Sequence, residues 1–349
     1  MLLVDAQDII NTYSKEEQFS CRKYVEYKEL IKENPSFGYK RCAKLLGVPQ
    51  GRTRWWHTKG AKKAIPLPLK AVEKLKNADL LPFTAQHKDA GTIFTILGTL
   101  FGDGGIDRRL NTMAFISADK RDIDLWKGDL ISIFSFAANK MNLIEGGEYG
   151  HSYCVRTFDR AVIRFFVALG ATVGDKIITN YSLPKYLFDL PKHVRIAFLD
   201  GLLSSEVSIP KFVETRYNID YFKNFSLSLS KSKVFEQSHI EFMDSLRKQF
   251  KRLGVKCTPA MRKDHYRKEL RKDNHESNGY RIFFTVSIPN VLRFHKQFPL
   301  KYCHRKKERF DAEVKKVFDS PNFYPATLPD KKQRLKAEIQ KALRYKSGG

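Results

Sequence analysis

In "TILGTLFGDGGI" (95–106) apolar residues occupy nearly every face of one short helix, and the run stops at Gly-Asp-Gly-Gly. A helix that is apolar all round belongs in a core. "AFLDGLLSSEVSI" (197–209) repeats the pattern: setting Gly98 over Gly201 brings Leu100 over Leu203, Asp103 over Glu206 and Ile106 over Ile209, with the acids 103 residues apart. That spacing is about one small domain. The text after each run repeats too, since "MAFISADKRDIDLWKGDLISIF" (113–134) and "FSLSLSKSKVFEQSHIEFMDSLRKQF" (225–250) each read as an alternating strand, a Ser/Asp/Lys helix start and an amphipathic helix. Strands are predicted over 112–117, 151–157, 225–230 and 280–287. An internal near-repeat of this kind predicts a pseudo-twofold α/β (α+β) body.

Residues 24–58 read differently, as three short helices over 24–33, 38–46 and 50–58, broken at Asn34-Pro35 and at Gly47-Val48-Pro49. Ala43 and Gly47 suit the tight turn of a helix-turn-helix, whose second helix would then present Gln50, Arg52, Thr53 and Arg54 to a DNA groove. A plain three-helix packing unit uses the same small residues and is the alternative; Trp55 and Trp56 read as core or staple residues. The segment 62–84 reads as a linker plus helix, and "DKKQRLKAEIQKALRYKSGG" (330–349) as a basic packing helix with Leu335, Ile339 and Leu343 on one side. The expected divisions are 1–84, 88–194, 195–318 and 319–349.

Composition narrows the partner. In 349 residues, 63 Lys and Arg face 38 Asp and Glu, a net charge of +25, and 13% of residues are aromatic. The sequence pI is about 9.7. Cations spread through the whole chain favour a polyanion, nucleic acid before a ribosomal or membrane-surface role. No apolar run nears the ~20 residues a membrane helix needs. Five scattered cysteines fit a reducing cytoplasm and no disulfide framework. The expected location is cytoplasmic, nucleoid-associated in a prokaryote, with an organelle as the alternative.

"ILGTLFGDG" (96–104) and "LDGLLSSEV" (199–207) resemble the two copies of the motif that names the LAGLIDADG homing endonucleases, in their single-chain form. "FFVALGATVGDKIITNYSLPKYLFDLPKHVRIAFLDGLL" (165–203) is similar to the stretch such proteins carry between copies, so the resemblance spans about 90–315. It implies two pseudosymmetric αββαββα-type halves with saddle-shaped antiparallel sheets on DNA, preceded here by the helix-turn-helix module. It also implies that Asp103 and Glu206 hold Mg²⁺ (or Mn²⁺), one acid per strand cut, with Lys176 and Lys231 as catalytic lysines. Copy one offers Ala118, beside Asp119 and Lys120, where copy two has Lys231. Phe101 and Ser204 replace the first Asp of the motif. Val207 replaces a Gly; a β-branched residue resists φ > 0, so either the turn there is built differently or the second site has decayed.

The expected function is therefore a site-specific double-strand DNA endonuclease acting as a monomer on a long recognition site. Expected DNA contacts are Gln50, Arg52, Arg54, Arg108, Arg109, Lys120, Lys233, Arg281, Lys301, Arg305 and Lys306. The alternatives are a cleavage-deficient DNA-binding transcription regulator and a splicing maturase whose partner is intron RNA.

Overall fold

A computed structural model describes residues 1–58, 64–146, 151–214, 221–262 and 276–319. The chain opens with strand β1 (Leu2–Val4) and helix α1 (Ala6–Asn11), then α2 (Lys15–Glu33). Helix α2 starts at Lys15, not near 24, because Ser14 and Glu17 form a reciprocal capping box that satisfies two free N–H groups. Helices α3 (Tyr39–Leu46) and α4 (Gln50–His57) are separated by a turn in which Gly47 takes φ 63°, the left-handed region that favours glycine. Helix α5 (Leu67–Asn77) and strand β2 (Phe83–Thr84) follow, and β2 pairs with β1.

Next come α6 (Ala90–Phe101), β3 (Gly105–Ile106), β4 (Met113–Ser117), α7 (Lys120–Ile133), β5 (Met141–Glu145), β6 (Tyr153–Thr157) and α8 (Arg160–Ala168). The chain then enters α9 (Lys192–Glu206), β7 (Val207–Ser208), the hairpin β8 (Lys211–Val213) and β9 (Tyr221–Lys223), β10 (Ser226–Ser232) and α10 (Glu236–Arg252). It ends, among the described residues, with β11 (Met261–Arg262), β12 (Ser277–Phe283), α11 (Ile288–Gln297) and α12 (His304–Asp319). The helix expected over 330–349 lies outside the described residues.

Mixed helix and antiparallel sheet is thus the class observed. One sheet runs β3-β4-β6-β5 and another β7-β10-β12-β11, so each follows the order first, second, fourth, third. The strand expected over 280–287 begins earlier, because Ser277, Asn278 and Gly279 already pair with Ser232, Lys231 and Ser230.

Among the described residues the buried apolar side chains form two cores. Tyr24, Tyr27, Cys42, Val48 and Trp56 form a small cluster under α2, α3 and α4. Val4, Ile9, Tyr13, Val72, Leu75 and Phe83 belong instead to the main core. A boundary at 84 therefore does not coincide with the packing: the first 13 residues and α5 are built into the body. Trp55 is the other departure, being 61% exposed while Trp56 is buried.

Candidate active site at two helix ends

Helices α6 and α9 are buried along most of their length. They meet backbone to backbone. A Cβ on Gly98 would fall on the Phe198 carbonyl oxygen, and one on Gly201 on the Thr95 carbonyl oxygen, so each glycine is required by the other helix's main chain. Phe101 closes the contact against Phe198, with ring centroids 5.4 Å apart. The sequence reason for the two glycines is therefore closeness of approach, not backbone freedom.

This packing carries both helix ends to one place. Asp103 stands exposed just past Gly102, the residue that caps α6, and Glu206 is the last residue of α9. Gly102 lies against Ser205, where a Cβ would come within 2.6 Å of the Ser205 Cβ. Glu206 is pushed up to about 7 by burial first and by the Asp103 charge second, while Lys176 and Lys306 pull it down. Two carboxylates thus share one site at two helix C-termini, where the macrodipole is itself negative. Cations answer them. Lys176 Nζ donates to Gly104 O at 2.6 Å, and Lys306 Nζ donates to Ser204 O at 3.0 Å and to Ser205 O. Burial lowers the Lys176 pKa, against Glu206, Asp103 and Asp175, which act to keep its proton.

Val207 is extended, at φ −82° and ψ 136°, and starts β7 directly. The left-handed turn that would exclude a β-branched residue is absent there. Gly104 likewise answers to space, since a Cβ would come within 2.9 Å of Thr99 O.

Lys231 takes a different place from the one its motif suggested. It lies on the core side of β10 with Leu227 and Leu229 and is 1% exposed. Its Nζ donates to Lys176 O at 2.6 Å and to Thr179 O, and sits 3.8 Å from the Tyr181 ring centroid. Burial brings its pKa down to about 8. With both carbonyls engaged, Lys231 ties the turn bearing Lys176 to the second sheet. It does not stand open to a ligand.

The remaining candidates scatter. Gln50, Arg52 and Arg54 are exposed on α4, and Arg108 and Arg109 on the turn between β3 and β4. Lys120 pairs with Glu145 at 3.5 Å and Lys233 with Glu276 at 4.0 Å, both near the surface. Arg281 lies half-buried on the outer side of β12. Lys301 is bound to Asp129 at 2.8 Å, and Arg305 is 3.9 Å from Asp119.

Pattern reading missed the groups that hold the second helix end in place. Asp200, 2% exposed, accepts the backbone N–H groups of Leu300 and Lys301 at 2.6 and 2.9 Å. Asp122, fully buried, accepts the His304 N–H at 2.8 Å and the Ser117 hydroxyl at 2.7 Å, and its carboxylate lies 2.5 Å from His304 Nδ1. Partners 182 residues apart leave no local signal. The visible hint was an acid inside an apolar helix run, at Asp200 in "AFLDGLL".

The donor set can be tested against a cation. Asp103 and Glu206 offer hard oxygens, and the Ser205 hydroxyl oxygen, against Gly102, is buried with no hydrogen-bond partner among the described residues. No group of three or more His, Cys, Asp or Glu able to hold a metal occurs among the described residues. The residues fit a small hard cation that keeps water and phosphate in its shell, not a thiolate or imidazole cage.

No family model matches the chain. It is similar to three curated proteins of unlike kinds. They are the DNA-directed RNA polymerase subunit Rpo1N of Methanocaldococcus jannaschii (24% identical over 283 residues, 73% of this chain, 20% of that protein), the tRNA-splicing ligase RtcB of Pyrococcus abyssi (29% over 193 residues, 53% and 20%) and the replication factor C small subunit of M. jannaschii (24% over 193 residues, 54% and 10%). The chain spans about a fifth or less of the length of these relatives. Among solved structures it is similar to variants of the homing endonuclease I-DmoI (TM-score 0.38, 14% identity, 64% of this chain and 98% of that one) and to I-DmoI with DNA and Mn (TM-score 0.37, 16% identity, 60% and 96%).

Proposed function

We propose that the protein is a site-specific double-strand DNA endonuclease of the LAGLIDADG homing kind, working with Mg²⁺ or Mn²⁺ as a monomer. Residues 88–194 and 195–318 are its two pseudosymmetric halves, and α3 and α4 are a helix-turn-helix that lengthens the DNA contact. The observation that carries the reading is the meeting of Asp103 and Glu206 at the ends of two helices packed glycine to carbonyl, with Lys176 beside them. Two carboxylates crowded at helix C-termini, where the macrodipole is already negative, favour a bound hard cation.

Short matches to proteins of unlike kinds support the same reading. A polymerase subunit, an RNA ligase and a replication factor share no activity in name, yet each matches this chain over a tenth to a fifth of its own length. Matches this short, to proteins of unlike activity, fit a protein whose function is separate from theirs.

In the reaction, Asp103 and Glu206 would hold the cation. A bound divalent ion supplies Lewis acidity and a more acidic water. Lys176, beside the pair, adds positive charge where a phosphodiester gains negative charge on attack. Lys231 holds the Lys176 turn, and Lys306 ties the last carbonyls of α9. Each acid serves one strand.

The test is selection of a cut site from randomised duplexes in Mg²⁺, then cleavage of that site by Asp103→Asn and Glu206→Gln. Loss of cutting by several orders of magnitude with binding kept is the expected result. Wild-type cutting by both variants overturns it. Binding without cutting by the wild-type protein would instead favour the regulator, and competition by intron RNA the maturase; with Val207 extended, no strain at the second site argues for decay.

A further inference from the structure

Helices α6 and α9 meet through matching groups. Gly98 faces Phe198 O and Leu202 N, and Gly201 faces Thr95 O and Thr99 N, each pair offset by the same 103 residues as the two acids. The two helix ends therefore correspond group for group: Phe101 with Ser204, Gly102 with Ser205, and Asp103 with Glu206.

In one respect they differ. The last carbonyls of a helix find no partner within it. At the end of α9 two of them, Ser204 O and Ser205 O, accept from Lys306 Nζ, the first at 3.0 Å. Lys306 lies near the start of α12, which Asp122 holds through His304, so a fixed helix presents the ammonium. At the end of α6 the corresponding groups are Phe101 O and Gly102 O. No side chain among the described residues donates to either; Thr172 Oγ1 donates to Leu100 O at 3.2 Å and Lys176 Nζ to Gly104 O at 2.6 Å, on either side of them.

The acids divide in the same way. Asp103 is exposed, whereas Glu206 is partly buried. Burial and the Asp103 charge raise the Glu206 pKa, and both ammoniums, Lys176 and Lys306, oppose them.

We propose that Lys306 is a built-in cation that competes with a divalent ion for the α9 end, so that the acid pair takes its first ion beside Asp103 and a second only against the ammonium. The inference rests on the endonuclease reading. A hard divalent ion gathers carboxylate and carbonyl oxygens together. Beside Asp103 no ammonium holds the helix-end carbonyls. Beside Glu206 one does, and it also repels another positive charge at close range. The pair is thereby set to hold one ion at rest and to load fully only at higher ion concentration.

The experiment titrates the full chain with Mn²⁺ in the absence of DNA. Bound ion is counted by electron spin resonance under argon, at a pH well above the value of about 7 to which Glu206 is raised. Wild type is expected to show two classes of site, the tighter lost in Asp103→Asn and the weaker in Glu206→Gln. Lys306→Met should tighten the weaker class by about tenfold or more, the scale of one unit charge removed at close range, and move the tighter class far less. Lys306→Arg, which keeps the charge, should leave the weaker class weak. The wild type and the acid variants decide the matter even where Lys306→Met fails to fold. Two sites of equal affinity, or a weaker class that Lys306→Met leaves where it was, overturns the inference while leaving the nuclease reading standing. Absence of any Mn²⁺ bound through Asp103 or Glu206 overturns the metal-dependent nuclease reading and this inference with it.

Discussion

At the scale of single residues, the acid pair makes a pH signature that can be separated from its surroundings. Glu206 is raised from its ordinary value to about 7, so the folded chain binds a proton that the unfolded chain releases near 4.5. Such a group contributes stability in full below the unfolded pKa and loses it as pH rises through the folded one. His239 opposes it, because burial brings its pKa down to about 4 and its contribution is lost as pH falls from 6.5 toward 4. Asp200, raised to about 6, acts in the same sense as Glu206. The difference between wild type and Glu206→Gln isolates one group. Without metal, the variant should gain on wild type from pH 4.5 to 7, read as the gap in melting temperature. A divalent ion should close that gap. A gap flat with pH would mean that Glu206 titrates normally. The glycines make a second residue-scale prediction: Gly98→Ala or Gly201→Ala sets a methyl against a fixed carbonyl, and should lower the unfolding free energy by about 3 kcal/mol in denaturant titration. Both glycines and both acids were legible from the repeat. At Val207 the first of the two expected alternatives holds, since the turn is built differently and an extended residue starts β7 directly.

Elements were legible where packing wrote a dense pattern. Helices α6 and α9 are buried on nearly every face and stand out in the sequence, whereas α2 buries only Cys21, Tyr24 and Tyr27 among 19 residues, so its first turns carry a cap and no apolar period. Strands β1 and β2, three and two residues long, exist through pairing between distant segments and had no pattern to read. The same limit hid the joint between α7 and the start of α12, where Asp122 and His304 meet while Arg121 and Glu308 pair at 2.6 Å. This joint locks residues of the expected first half to residues of the second. Asp122→Ala removes a buried carboxylate that accepts the partly buried His304 N–H and the Ser117 hydroxyl, and should cost about 3 kcal/mol. Arg121→Ala removes an exposed, solvent-screened pair and should cost clearly less. Equal losses would show that the buried carboxylate does not hold the joint.

For the whole molecule, net charge overstates what is free for a ligand. Lys74 and Lys140 are both bound to the buried Asp159, Lys301 to Asp129, and Lys231 and Lys306 to backbone carbonyls. The surplus of +25 is thus partly internal structure. Salt dependence of DNA binding counts the phosphates met by cations, not net charge, so it measures the free part directly. A surface tracking six to ten phosphates predicts a fall in affinity of roughly a thousandfold or more between about 50 and 200 mM salt. Replacing Gln50, Arg52 and Arg54 of α4 by Ala removes two cations from an exposed helix whose core is separate from that of the acid site. It should weaken binding, reduce the salt slope by about 2, and leave the cut phosphates where they were. Deleting residues 1–84 would be a poorer test, because β1, α1 and α5 are part of the main core and their loss would expose it. A cleavage position that moved in the α4 variant would mean that this helix sets the register of the acids, and an unchanged slope would mean that it never touches phosphate.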